Sequence, residues 1–117
     1  GFGCETPRSC PAPGELRLTS LKIPEMIRAG TPFDMIVSFQ TNEPVQLIRA
    51  CFYSSGGGVH REGPFCGPAV EIMGTKTFKV RHLTRNPNVY TLTGYVEYHT
   101  GGQTKISNEV SAIENVR

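Results

Sequence analysis

Cysteine, histidine and the carboxylates are the side chains here that could do chemistry, and their spacing restricts what that chemistry can be. The sequence holds four cysteines, at Cys4, Cys10, Cys51 and Cys66. An even number in a short chain, with no Cys-x-x-Cys pair, points to two disulfides and an oxidising compartment. Four cysteines permit three pairings; the two local ones, Cys4–Cys10 and Cys51–Cys66, are preferred, with a bond from the N-terminal arm to the later loop as the alternative. A Cys51–Cys66 bond would close a loop of about fifteen residues, a constraint on the order of 3 kcal/mol in the chain-entropy model.

His60 lies between Cys51 and Cys66, but with no His-x-x-x-His pair the remaining ligands of a zinc site are missing, so no metal is expected. The three histidines, His60, His82 and His99, have no nucleophile motif beside them. His82 is expected on an exposed strand face and His99 at a hairpin entrance. Asp34, Glu71, Glu97, Glu109 and Glu114 alternate with apolar neighbours, as residues on solvated strand faces do. Gly56-Gly57-Gly58 is followed by no Lys-Ser pair or helix and is no phosphate cradle. The sequence therefore predicts a chain that is not an enzyme and needs no cofactor.

The elements that must position these residues are strands. At 117 residues the chain can bury one core, and 38% hydrophobic content separates it from disordered sequences. Its net charge of +2 is scattered over single Lys and Arg residues, which argues against nucleic acid. No apolar stretch reaches the roughly 20 residues of a membrane span. With two disulfides expected, the sequence reads as the processed form of an exported protein, placed outside the cell, at its surface or in the periplasm.

Nine prolines and thirteen glycines punctuate short runs of β-branched and aromatic residues, and helix signals are nearly absent. Residues 1–14 read as a disulfide-bearing arm, and residues 15–117 as a β domain. Strands are expected at Leu16 to Ile23, Phe33 to Gln40, Val45 to Tyr53, Ala69 to Met73, Thr75 to Leu83, Val89 to His99 and Thr104 to Val116. Phe33, Met35, Val37 and Phe39 share one face at period two. Val45 to Tyr53 is apolar on both faces, which suits a central strand. The stretch from Gly56 to Gly67 is expected to be a loop.

Seven strands at this spacing suit an immunoglobulin-like sandwich. Asn88-Val89-Tyr90-Thr91-Leu92-Thr93-Gly94 resembles the tyrosine corner of immunoglobulin-like and fibronectin type III domains. Ser107-Asn108-Glu109-Val110 is similar to the last strand of many fibronectin type III modules. The resemblance implies an all-β, seven-stranded antiparallel sandwich, in which Tyr90 bonds its hydroxyl back to upstream backbone. It departs from the family in having no tryptophan and no cysteine pair joining the two sheets, with Phe39 and Phe52 as substitute anchors.

The function expected from these features is that of a non-catalytic, exported adhesion or assembly module, such as a subunit of an extracellular polymer. Its partner would be a protein or a second copy. The alternative is a carbohydrate- or small-ligand-binding module using the Gly56-to-Gly67 loop. The binding candidates are His60, Arg61 and Phe65 on that loop and Tyr95, predicted to point outward beside Glu97 and Thr93.

Overall fold

A computed structural model describes residues 15–41, 45, 47–56, 59–68, 70–71 and 77–117. Among the described residues there are nine strands: β1 (Leu16–Lys22), β2 (Phe33–Thr41), β3 (Leu47–Gly56), β4 (Val59–Cys66), β5 (Val70–Glu71), β6 (Thr77–His82), β7 (Asn88–Thr100), β8 (Gln103–Ile106) and β9 (Val110–Val116). They form a three-stranded sheet, in the order β1-β2-β6, and a six-stranded sheet running β4-β3-β7-β8, with β5 added to β3 and β9 to β7. Every pairing between these strands is antiparallel. The all-β expectation holds. The arm at residues 1–14, with its Cys4–Cys10 bond, lies outside the described residues.

The two sheets face each other across one core. Period-two alternation puts Phe33, Met35, Val37 and Phe39 of β2 on the inner face with Leu16, Leu18 and Leu21 of β1. Across from them lie Ile48, Ala50 and Phe52 of β3 and Leu92, Val96 and Tyr98 of β7. Phe39 and Phe52 are both buried, as expected of the anchors in a chain without tryptophan. The apolar double-faced run becomes β3, which is flanked by β4 and β7 and so is shielded along both edges.

Strand count is corrected from seven to nine, for two physical reasons. The run predicted as a final strand from Thr104 divides at Ser107. There the Ser107 Oγ accepts from the Val96 amide at 2.9 Å and the Ser107 amide donates to the Val96 carbonyl, also at 2.9 Å. Asn108 then leaves the sheet to hold β1: its Oδ1 accepts from the Leu18 amide at 2.8 Å and its Nδ2 donates to the Leu18 carbonyl at 3.0 Å. These bonds satisfy backbone groups on the outer edge of the smaller sheet beside a register shift in β1.

The second correction concerns the predicted loop, which is β4. Gly63 and Pro64 suit an edge strand, and pairing to β3 is interrupted by register shifts on either side of Ser54. At the turn, Gly56 adopts φ +134° and a Cβ there would lie 2.5 Å from the Val89 carbonyl oxygen, so only glycine lets β3 pass so close to β7. The Gly101-Gly102 hairpin forms as read, with both residues at positive φ.

Candidate functional site

Polar and aromatic side chains converge in two places, one solvated and one buried. The solvated group stands on the outer face of the six-stranded sheet. Strand alternation sends Arg49, Cys51 and Tyr53 of β3 outward, together with Thr93, Tyr95 and Glu97 of β7. Cys51 is opposite Tyr95 and Tyr53 opposite Thr93, which makes the two tyrosines diagonal neighbours. Their ring centroids are 5.9 Å apart and tilted by 33°. Arg61, arriving on β4, lays its guanidinium 3.7 Å from the Tyr53 ring centroid and donates to Glu109 Oε2 at 2.9 Å. Beside them Arg49 donates to Glu97 Oε2 at 2.6 Å.

Partial burial, then the neighbouring Tyr53 with its hydrogen bond, then Glu97 raise the Tyr95 pKa above the ordinary tyrosine value, with Arg49 opposing. Tyr95 therefore stays a neutral phenol at neutral pH, a group that can both donate and accept. The Cys51–Cys66 disulfide lies within this face, between Arg49 and Tyr53 along β3, its Cα atoms 4.1 Å apart, and joins residues directly opposite each other on β3 and β4.

Of the sequence-derived binding residues, Arg61 and Tyr95 are brought to this face, each in contact with or beside Tyr53. His60 and Phe65 are exposed on the same strand as Arg61. Phe65 is opposite Phe52 and so shares the inward direction of that buried ring, whereas Tyr53 points the other way. Phe65 and Tyr53 thus cannot form a joint platform, and the expected carbohydrate-binding loop loses its geometry.

The buried group was missed. Glu114 of β9 is fully buried, not solvated, and accepts a short hydrogen bond from the Thr84 hydroxyl at its Oε1. Its Oε2 is buried without a hydrogen-bond partner, 3.8 Å from His82 Nε2. His82 also departs from its expected exposed position: its ring lies between the sheets, edge-on to Phe33 at 5.6 Å and 6.5 Å from Phe52. Burial lowers the His82 pKa from 6.5, and the nearby Glu114 charge only partly opposes it. At 3.8 Å the contact is too long for a hydrogen bond, and the lowered pKa favours a neutral imidazole at neutral pH.

The signal for this cluster was parity. Val80 packs against the core, and His82 follows it at period two; Ala112 and Val116 likewise bracket Glu114 on the inner side of β9. His99 stands at the hairpin as expected, within 2.8 Å of the Thr104 hydroxyl.

No protein-family model and no curated protein matches the chain. Solved structures do. A superoxide reductase (neelaredoxin) from Ignicoccus hospitalis is similar over 88% of this chain and 80% of its own, at a TM-score of 0.52 and 14% identity. A substituted form of the same superoxide reductase matches over 88% and 82%, at 0.52 and 16% identity. The fold is thus neelaredoxin-like.

That finding corrects the kinship expected with immunoglobulin-like and fibronectin type III domains, which is a different β fold. The local feature behind it is nonetheless present, since the Tyr90 hydroxyl donates to the Asn86 carbonyl at 3.0 Å. One tyrosine corner is a local solution to a strand start and does not define the whole topology. The adhesion-module and extracellular-filament readings fall with the kinship that supported them. So does the prediction that the chain is no enzyme, because the neighbouring structures are of proteins named as reductases.

The neighbours are named as superoxide reductases, and redox chemistry of that kind calls for a cofactor or a cluster of metal-ligating side chains. Among the described residues no three of His, Cys, Asp and Glu gather in one place. All three histidines are described and stand on β4, β6 and β7, while Cys51 and Cys66 are joined to each other. The described residues do not fit a resident metal.

Proposed function

We propose that this chain is an exported domain that engages a protein partner through the outer face of its six-stranded sheet, with Tyr53, Arg61 and Tyr95 as anchors. The observation that carries the reading is the Arg61 guanidinium, fixed at once over the Tyr53 ring and against Glu109. Tyrosine and arginine are the side chains that most often dominate interface energetics. An arginine already held by a ring and a carboxylate loses less freedom on docking than a solvated one. Two ion pairs, Arg49–Glu97 and Arg61–Glu109, border the tyrosines and give the face a mixed charge pattern that a complementary protein surface can match. Export is supported by the Cys51–Cys66 bond, which persists in oxidising compartments.

The test compares the wild-type chain with a Tyr53→Ala, Arg61→Ala, Tyr95→Ala triple variant of equal melting temperature. Both are passed over arrays of purified extracellular proteins, over glycans and over themselves. Micromolar or tighter binding of a protein, weakened about tenfold or more in the variant, is the expected result. Binding indifferent to the three substitutions, or confined to glycans, defeats the proposal. Superoxide reduction, the activity in the neighbours' names, finds no metal donor set among the described residues of this chain. Superoxide consumption by the purified chain above the protein-free rate would reverse that conclusion.

A further inference from the structure

The geometry points to Cys66 as a thiol–disulfide exchange site that decides whether β4, and Arg61 with it, stays on the sheet. The consequence for binding rests on the function proposed above; the release of β4 does not. Three observations converge. The bond joins a fully buried sulfur-bearing residue, Cys51, to an exposed one, Cys66, so an approaching thiolate has one side open to it. Exposed disulfides are the labile and regulatory ones, in contrast to those sealed in a core.

Apart from its interrupted pairing to β3 and the Arg61 contacts, no other strand among the described residues holds β4. It is an edge strand whose one neighbour is β3, and each residue from His60 to Cys66 is exposed. Its register with β3 shifts twice, between Phe52 and Ser54 and again between Ser54 and Gly56. On the other side of β3 the pairing to β7 runs without a shift from Ile48↔Tyr98 to Gly56↔Tyr90. β3 therefore keeps its place when the bond opens, while β4 loses its one covalent tether to the sheet.

The third observation is what β4 carries. Arg61 contributes the guanidinium over Tyr53 and the bond to Glu109, and both partners belong to the part of the sheet that stays. Opening the disulfide takes away one anchor of the face and leaves the tyrosines bare.

The reductant would be a dithiol, as in a thioredoxin-like protein. One of its thiolates attacks Cys66 Sγ and forms a mixed disulfide. The Cys51–Cys66 S–S bond breaks, and its electron pair leaves on Cys51 Sγ, which takes up a proton. The second thiolate of the reductant then attacks its own partner sulfur and expels the Cys66 thiolate, which is protonated in turn. The chain gains two electrons and two protons, and the dithiol becomes a disulfide. Reoxidation of the two thiols closes the strand again.

The experiment treats the intact, oxidised chain with dithiothreitol under native conditions, with amide exchange followed strand by strand and thiols mapped by alkylation so that Cys4 and Cys10 are counted separately. A thioredoxin lacking its resolving cysteine traps the attacked sulfur. The proposal expects the trap on Cys66, exchange in β4 faster by roughly a hundredfold, and unchanged protection in β2 and β7; the factor reflects the entropy of a loop of about fifteen residues. Reoxidation should restore protection. A Cys51→Ala, Cys66→Ser variant should show the same pattern, which keeps the test decisive if the reduced chain aggregates. Reduction that needs denaturant, a trap on Cys51, unchanged β4 protection, or loss of protection in all strands together would each overturn it. None of these readouts involves a partner, so a failure here is separable from a failure of the proposed binding.

Discussion

Glu109 and Glu114 sit at the start and near the end of the same stretch of chain, yet the fold gives them opposite lives. Glu109 is half-exposed and meets Arg61 at 2.9 Å, an ion pair in water that keeps its hydration in reserve. Glu114 is sealed between the sheets with Thr84 on one oxygen and a neutral His82 beyond hydrogen-bond range of the other. Each cluster unites a carboxylate, a basic side chain and aromatic rings. What separates them is solvent, because a buried polar group depends on every partner it has, whereas a surface group can exchange a partner for water. The buried cluster should therefore matter for stability and the solvated one for recognition.

The sharpest way to break this contrast is to remove Glu114. Glu114→Ala deletes a hydrogen bond in a sealed site and leaves the Thr84 hydroxyl without its acceptor, which should cost about 1–3 kcal/mol, read as a lower urea midpoint. A change no larger than that of a surface residue would mean the cluster is not structural.

A smaller effect should come from His82 through pH. Its folded pKa lies below its ordinary 6.5, so the unfolded chain binds the extra proton first as pH falls. The stabilisation is fully present above pH 6.5 and is lost as pH falls from there through the folded value. Melting temperatures of wild type and His82→Gln should diverge in that window, with the wild type falling more steeply. Parallel curves would contradict it.

Arg61→Ala should have the smallest effect on stability, about 0–1 kcal/mol, since an exposed ion pair and a cation–π contact are both weak in water. If it destabilises as much as Glu114→Ala, β4 is part of the core and the contrast between the clusters disappears.

Much of the architecture was legible because period-two alternation is a local signal. Phe33, Met35, Val37 and Phe39 announced their shared face, and Tyr95 its outward direction. The same rule contained His82 and Glu114, but a polar residue at an inward position invites the assumption that the strand turns it outward. Ile113 shows the reverse: it is 62% exposed because its polar neighbour took the inward slot. β4 was hidden for another reason, since glycine and proline mark loops statistically and only pairing along the β3 edge makes them a strand.

By itself the sequence determined that this chain is all-β, which residues face inward along its clearest strands, and that Cys51 and Cys66 suit a disulfide. Those properties follow from side-chain periodicity and from cysteine spacing, both readable along one dimension. Tertiary structure alone decided that Glu114 meets Thr84 and His82, that Asn108 grips Leu18, and that Arg61 lands on Tyr53. These contacts join separate segments of the chain, and the first two tie one sheet to the other. Strand order and register create such neighbours, and neither is written in the spacing of residues along the chain.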